Sequence, residues 1–100
     1  MRIIDQGHQY ELSHLEGDGH EILSFIKKES TENPGELQIV SDGTTNEEVL
    51  RVLIDRMNFL QVKKPCRENA IVITKLEECL MWLEKRTAGR VAAGVEGTSN

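Results

Sequence analysis

A few side chains near the middle of the chain could do chemistry. In "PCRENAIVITKLEECLMWLEKRT", residues 65–87, a proline, a cysteine and an arginine open a stretch whose spacing predicts a helix. Arg67, Glu68 and Asn69 fall in its first turn, where free backbone N–H groups favour anions. An arginine there opposes the helix dipole, so stability alone does not account for it. A guanidinium so placed can fork two oxygens of a phosphate. Asn69 can read a base edge or a ribose hydroxyl. Phe59, late in the preceding helix, offers a ring on which a base would stack. The same three residues also read as a solvent-facing arginine, an asparagine cap and a core phenylalanine, and spacing alone leaves both readings open.

Other chemistry finds less support. Cys66 and Cys79 stand thirteen apart on one predicted helix, too far to join, because a disulfide needs Cα atoms within about 7 Å. They read as reduced thiols in a cytoplasm. His8, His14 and His20 are spaced six apart with no Cys-x-x-Cys or His-x-x-x-His pair, so they read as exposed hairpin histidines and no metal or cofactor is expected. No nucleophile elbow, P-loop or dinucleotide-binding glycine motif is present. The pairs Glu47–Glu48 and Glu77–Glu78 lie on helices as solvated faces, and Cys66 has no nearby histidine to make it a nucleophile. The chain does not read as an enzyme.

The elements that must hold these residues follow from pattern. The first 43 residues are β-rich: "HQYELSHL", "EILSFIKK" and "ELQIV" read as a three-stranded antiparallel meander, punctuated by Gly17, Gly19 and Pro34–Gly35. Three such strands need a helix packed on them. "DGTTNEEVLRVLIDRMNFLQ" supplies one, with Thr45 as N-cap, Glu48 completing a capping box, and Leu50, Leu53, Ile54, Met57 and Leu60 as its apolar stripe. In the second helix Ala70, Ile73, Leu76, Leu80 and Leu83 form the stripe. Two helices joined by a short connection predict an antiparallel hairpin. The fold class is therefore α+β, one domain over 1–88 with a β meander at 1–43 and a helical hairpin at 44–88. Residues 89–100, punctuated by Gly89, Gly94 and Gly97, read as a flexible tail or an arm that orders on a partner.

Composition bounds the partners. A hundred-residue chain is only marginally stable alone, and oligomerisation is a common remedy. The formal charge of −5 argues against DNA or RNA as a partner, though a small anion needs only local positive charge. Apolar runs are too short to span a bilayer, and no secretory leader is expected after Met1 and Arg2.

The segment "CRENAIVITKLEECLMWLEKRT" resembles the helical-hairpin signature of phage signal sponges, the anti-CBASS and anti-Thoeris proteins. "GTTNEEVLRVLIDRMNFL" is similar to the first hairpin helix of the anti-Thoeris branch, Thoeris anti-defence 1, in which a β-sheet precedes two long helices. The likeness covers roughly residues 43–87. It implies sequestration without chemistry, in the cytoplasm of an infected bacterial host. The implied ligands are cyclic ADP-ribose-type signals, with cyclic di- and trinucleotides bound by some members in separate pockets of a hexamer. Carried over by position, Phe59 would stack, Asn69 would read polar groups and Arg86 would hold phosphate. Arg67 matches an arginine of the trinucleotide pocket in the anti-CBASS branch.

Geometry then demands a second copy. A helix from about 66 to 86 is roughly 30 Å long, so Arg86 cannot reach Phe59 and Asn69 of its own chain. Two antiparallel copies bring each Arg86 to the other's helix mouth, giving a homodimer with two identical pockets and leaving a hexamer open. The rival expectation is a phage or prophage adaptor that binds a host protein through the hairpin face.

Overall fold

A computed structural model describes residues 1–93. The protein is α+β, with strands β1 (Arg2–Asp5), β2 (Gln9–Ser13), β3 (His20–Ser24), β4 (Lys27–Ser30) and β5 (Leu37–Ser41) followed by helices α1 (Asn46–Lys63) and α2 (Arg67–Ala92). It forms two compact units, one of strands from Met1 to Thr45 and one of helices from Asn46 onward. The rest of the expected tail, residues 94–100, lies outside the described residues.

The three-stranded antiparallel meander is present, but it is made of β1, β2 and β3, while β4 and β5 form a separate two-stranded sheet. Two local causes separate this from the sequence expectation. The first is β1, whose adjacent Ile3 and Ile4 show no alternation, yet Ile3 pairs with Tyr10 and Arg2 with Glu11. The second is a break inside "EILSFIKK". Phe25 donates its N–H to the His8 carbonyl at 2.7 Å, and Ile26 donates to Thr44 at 2.9 Å, so the chain changes sheet there. Thr44 returns the contact by donating to the Ser24 carbonyl at 2.8 Å. This crossing demands glycine at 43, because a Cβ would lie 2.6 Å from the Ser24 oxygen and from the Phe25 carbonyl carbon. The turns fall where expected, with Gly17 and Gly35 at φ +77° and +78°. Tyr10 and Phe25 meet edge to face at 6.1 Å, and the Tyr10 hydroxyl accepts the Gly7 N–H.

The helical unit is a hairpin whose α1 begins one residue after Thr45, as a cap there requires. Its facing stripes include Leu50, Ile54, Met57 and Leu60 on α1 and Ile73, Leu76, Leu80 and Leu83 on α2, all half-buried. Leu53 and Ala70 of the expected stripes are exposed instead, and Asn69 takes the inward place. Helix α2 also runs past the expected end at Thr87, through Gly89 to Ala92. A single internal glycine costs about 1 kcal/mol against alanine, which a long helix with Ala88, Arg90 and Ala92 around it tolerates. Among the described residues no side chain is fully buried, and many large apolar ones stand in solvent, Val52, Met81 and Trp82 among them. No helix is long and apolar enough to cross a membrane among the described residues.

Candidate functional site

The connection between α1 and α2 is held by a side chain that the sequence pattern does not mark. Gln61 accepts the Cys66 N–H through Oε1 and donates through Nε2 to the Cys66 carbonyl, both at 3.0 Å. A side-chain amide carries an acceptor oxygen and a donor nitrogen side by side, which suits it to hold both backbone groups of one residue. Cys66 is thereby set in extended backbone as the N-cap of α2, and its Sγ accepts the Asn69 N–H at 3.4 Å. Asparagine is therefore not the cap, and Phe59 is not core: its ring is 56% exposed. These two blander readings fall, whereas Arg67 is solvent-facing as one reading had it.

The four expected site residues sit at different levels of the hairpin. Phe59 lines a shallow depression of about 460 Å³ on α1 with Glu48, Arg51, Val52, Asp55 and Arg56. The Lys63 ammonium lies 4.7 Å from its ring centroid. Asn69 stands half-buried in the first turn of α2, with its side-chain amide making no hydrogen bond among the described residues. Arg67 and Arg86 are exposed, and neither guanidinium has an ion-pair partner among the described residues. Of the other arginines, Arg51 meets Glu84 at 3.3 Å and Arg2 meets Glu11, whereas Arg56 and Arg90, like Arg67 and Arg86, have no ion-pair partner among the described residues. Seventeen positions separate Asn69 from Arg86 on one helix, about 25 Å along its axis. A single hairpin therefore does not bring the four together.

Two other concavities among the described residues hold none of them. A groove of about 390 Å³ between the helices is framed by Arg51, Ile54, Asp55, Glu77, Leu80 and Glu84. Within the β unit a polar depression of about 190 Å³ lies among Asp5, His8, Ser24, Lys27 and Asp42, with Lys27 donating to Asp5 at 3.1 Å. Cys66 and Cys79 are free and exposed. No group of three or more His, Cys, Asp or Glu among the described residues could hold a metal ion.

Geometry alone thus offers cationic and amide groups without partners among the described residues, and exposed rings, on a helical hairpin whose described concavities are open. Comparison with known proteins bears on what such a hairpin is. The chain is 52% identical over 59 residues to Thoeris anti-defense 1 of Bacillus phage SBSphiJ7, a match covering 58% of this chain and 42% of that relative. Residues 25–88 match the sequence model of the Acb2/Tad1 hairpin domain. That stretch takes in β4, β5, all of α1 and most of α2, so it covers the greater part of the chain and includes Phe59, Arg67, Asn69 and Arg86. The chain belongs to the Acb2/Tad1 hairpin domain family.

Proposed function

We propose that this is a phage anti-defence protein that sequesters cyclic nucleotide immune signals without cleaving them. The ligand is of the cyclic ADP-ribose type, and cyclic di- and trinucleotides of CBASS-like signalling fall within the same reading. The observation that carries it is the family match over residues 25–88, because that stretch contains Phe59, Arg67, Asn69 and Arg86. The name of the 52% identical relative, Thoeris anti-defense 1, points to the same biology. It acts in the cytoplasm of the infected host.

The physical case rests on unspent binding groups. A phosphate that replaces water at two unpaired guanidinia gains charge-assisted hydrogen bonds about twice as strong as neutral ones. A base on the exposed Phe59 ring adds about 1–3 kcal/mol. A sponge must win signal from a sensor at low concentration, which asks for nanomolar binding, about −12 kcal/mol. An open face cannot supply that, because solvent screens it. A pocket closed by a second copy can, with Phe59 and Asn69 from one chain and Arg86 from the other. The same pairing covers apolar side chains that the hairpin leaves in water, so a homodimer is the smallest functional form and a hexamer its natural extension.

The test is a melting-temperature panel of cyclic ADP-ribose-type, cyclic dinucleotide and cyclic trinucleotide ligands. Ligand at 100 times its dissociation constant adds about 2.7 kcal/mol, which raises the melting temperature of a chain this size by roughly 10–20 °C. Light scattering should give at least twice the 11.3 kDa chain mass. A monomer that no panel member stabilises would leave the adaptor reading in its place.

A further inference from the structure

Trp82 is 61% exposed on α2 and is the only tryptophan of the chain. The Lys85 ammonium lies 4.8 Å from its ring centroid. Arg86, without an ion-pair partner among the described residues, follows one helical turn later, so the two side chains neighbour each other on one face, about 6 Å apart along the axis. The carboxylate one turn before Trp82, Glu78, is engaged by Lys75 at 3.7 Å. Among the described residues, the charged side chains one turn from the indole that lack an ion-pair partner are therefore Lys85 and Arg86, both cationic. The exposed Phe59 ring repeats the arrangement with Lys63 at 4.7 Å. A ring flanked by an ammonium and an unpaired guanidinium suits a phosphorylated ring compound, with the base on the ring face and the phosphate on the guanidinium.

Resting on the sequestration reading, we infer that Trp82 is a second stacking residue of the signal pocket, delivered into it together with Arg86. Helix α2 is continuous from Arg67 to Ala92. Whatever arrangement brings Arg86 to a ligand therefore carries the indole to within a turn of it. The pocket then has a ring from each chain, Phe59 from one and Trp82 from the other. Ligands with two bases, or with one base held between two rings, gain most from this.

A single tryptophan makes the test direct. Full-length protein is titrated with cyclic ADP-ribose and with the cyclic ADP-ribose-type product of a bacterial TIR-domain enzyme, reading indole emission and calorimetric heat together. Expected is a saturable emission change that follows the heat. Trp82→Ala should weaken binding by roughly 5- to 150-fold, the span of one lost base–ring stack, while light scattering shows an unchanged mass. Trp82→Phe keeps a smaller ring and should recover most of the affinity. A Trp82→Ala protein that binds as tightly as the unmodified one overturns the inference, whatever the emission does, and leaves sequestration standing. Loss of binding together with dissociation of the assembly would make Trp82 a contact between copies, which also overturns it. Absence of both heat and emission change with both probes removes cyclic ADP-ribose-type sequestration itself, and Trp82 as its stacking residue falls with it.

Discussion

If one pocket draws Phe59 and Asn69 from one chain and Arg86 from another, two defective chains should repair each other. Phe59→Ala removes a stacking ring, about 1–3 kcal/mol. Arg86→Ala removes hydrogen bonds to a charged group, about 1.5–3 kcal/mol. Each pure variant should bind roughly 10- to 100-fold more weakly than the unmodified protein. Refolded together in equal amounts, half the dimers are mixed. In a mixed dimer one pocket combines the sound Phe59 of one chain with the sound Arg86 of the other, and the second pocket carries both defects. About one quarter of all pockets should therefore bind with full affinity. The requirement behind this is the separation of Asn69 and Arg86 by about 25 Å of helix, which no single chain closes. Calorimetry at ligand concentrations between the two dissociation constants counts those tight sites. Mixing Phe59→Ala with Asn69→Ala is the control: both lesions lie at the same end, so no pocket is repaired. Circular dichroism checks folding, which exposed Phe59 should survive. No tight sites in the first mixture, or as many in the control, would refute a pocket shared between chains.

Arg67→Ala should abolish binding of a cyclic trinucleotide while sparing cyclic ADP-ribose-type ligands, read by calorimetry with each; equal loss of both would mean one common pocket. Gln61→Ala deletes two exposed hydrogen bonds to Cys66, worth about 1 kcal/mol together after exposure. That should lower the melting temperature by about 4–8 °C at fixed protein concentration; a shift below about 1 °C would show the clamp to be incidental. The Glu11 carboxyl is held below the ordinary carboxylate value, first by its hydrogen bond from Arg2 and then by nearby positive charge. Its contribution to stability is complete above the unfolded-chain value and vanishes as pH falls through the lowered folded value. Arg2→Ala should move the Glu11 titration, followed by NMR, back towards the ordinary range, and an unmoved titration would refute the pairing. Signal recovered from heat-denatured complex should be intact by chromatography; cleaved nucleotide would reveal a missed active site.

What could be read from sequence tracks how local the determining physics is. The hairpin was legible because Leu50, Ile54, Met57 and Leu60 repeat at helical spacing and do face α2. Glycines at 17 and 35 marked their turns through a backbone conformation that other residues resist. β1 was not legible, since four residues with two adjacent isoleucines show no alternation, and their pairing is set by β2. The sheet change at Phe25 and Ile26 was hidden for a similar reason. It depends on carbonyls of His8 and Thr44, distant in sequence. At the helix mouth the polar residues announced themselves, but the cap did not, because a thiol is an uncommon acceptor and Gln61 holds it from the preceding helix. The Trp82–Lys85 pair is likewise silent in the sequence, because the ring lies off the apolar stripe.

The unbroken run of α2 has a consequence for how such proteins diversify. Deleting or inserting one residue between Asn69 and Arg86 turns the arginine by about 100° and shifts it about 1.5 Å, which takes it off its face. Seven residues restore the face almost fully and move it about 10 Å. If Asn69 and Arg86 serve one pocket, as proposed, length changes that keep it are therefore quantised, and the permitted steps are coarse compared with the dimensions of a small cyclic ligand. On that proposal, a lineage that needs to accept a slightly larger or smaller signal cannot reach it by stretching this helix. It must substitute side chains at the two ends, or slide one copy along the other, and the ruler between them stays constant while the jaws are recut.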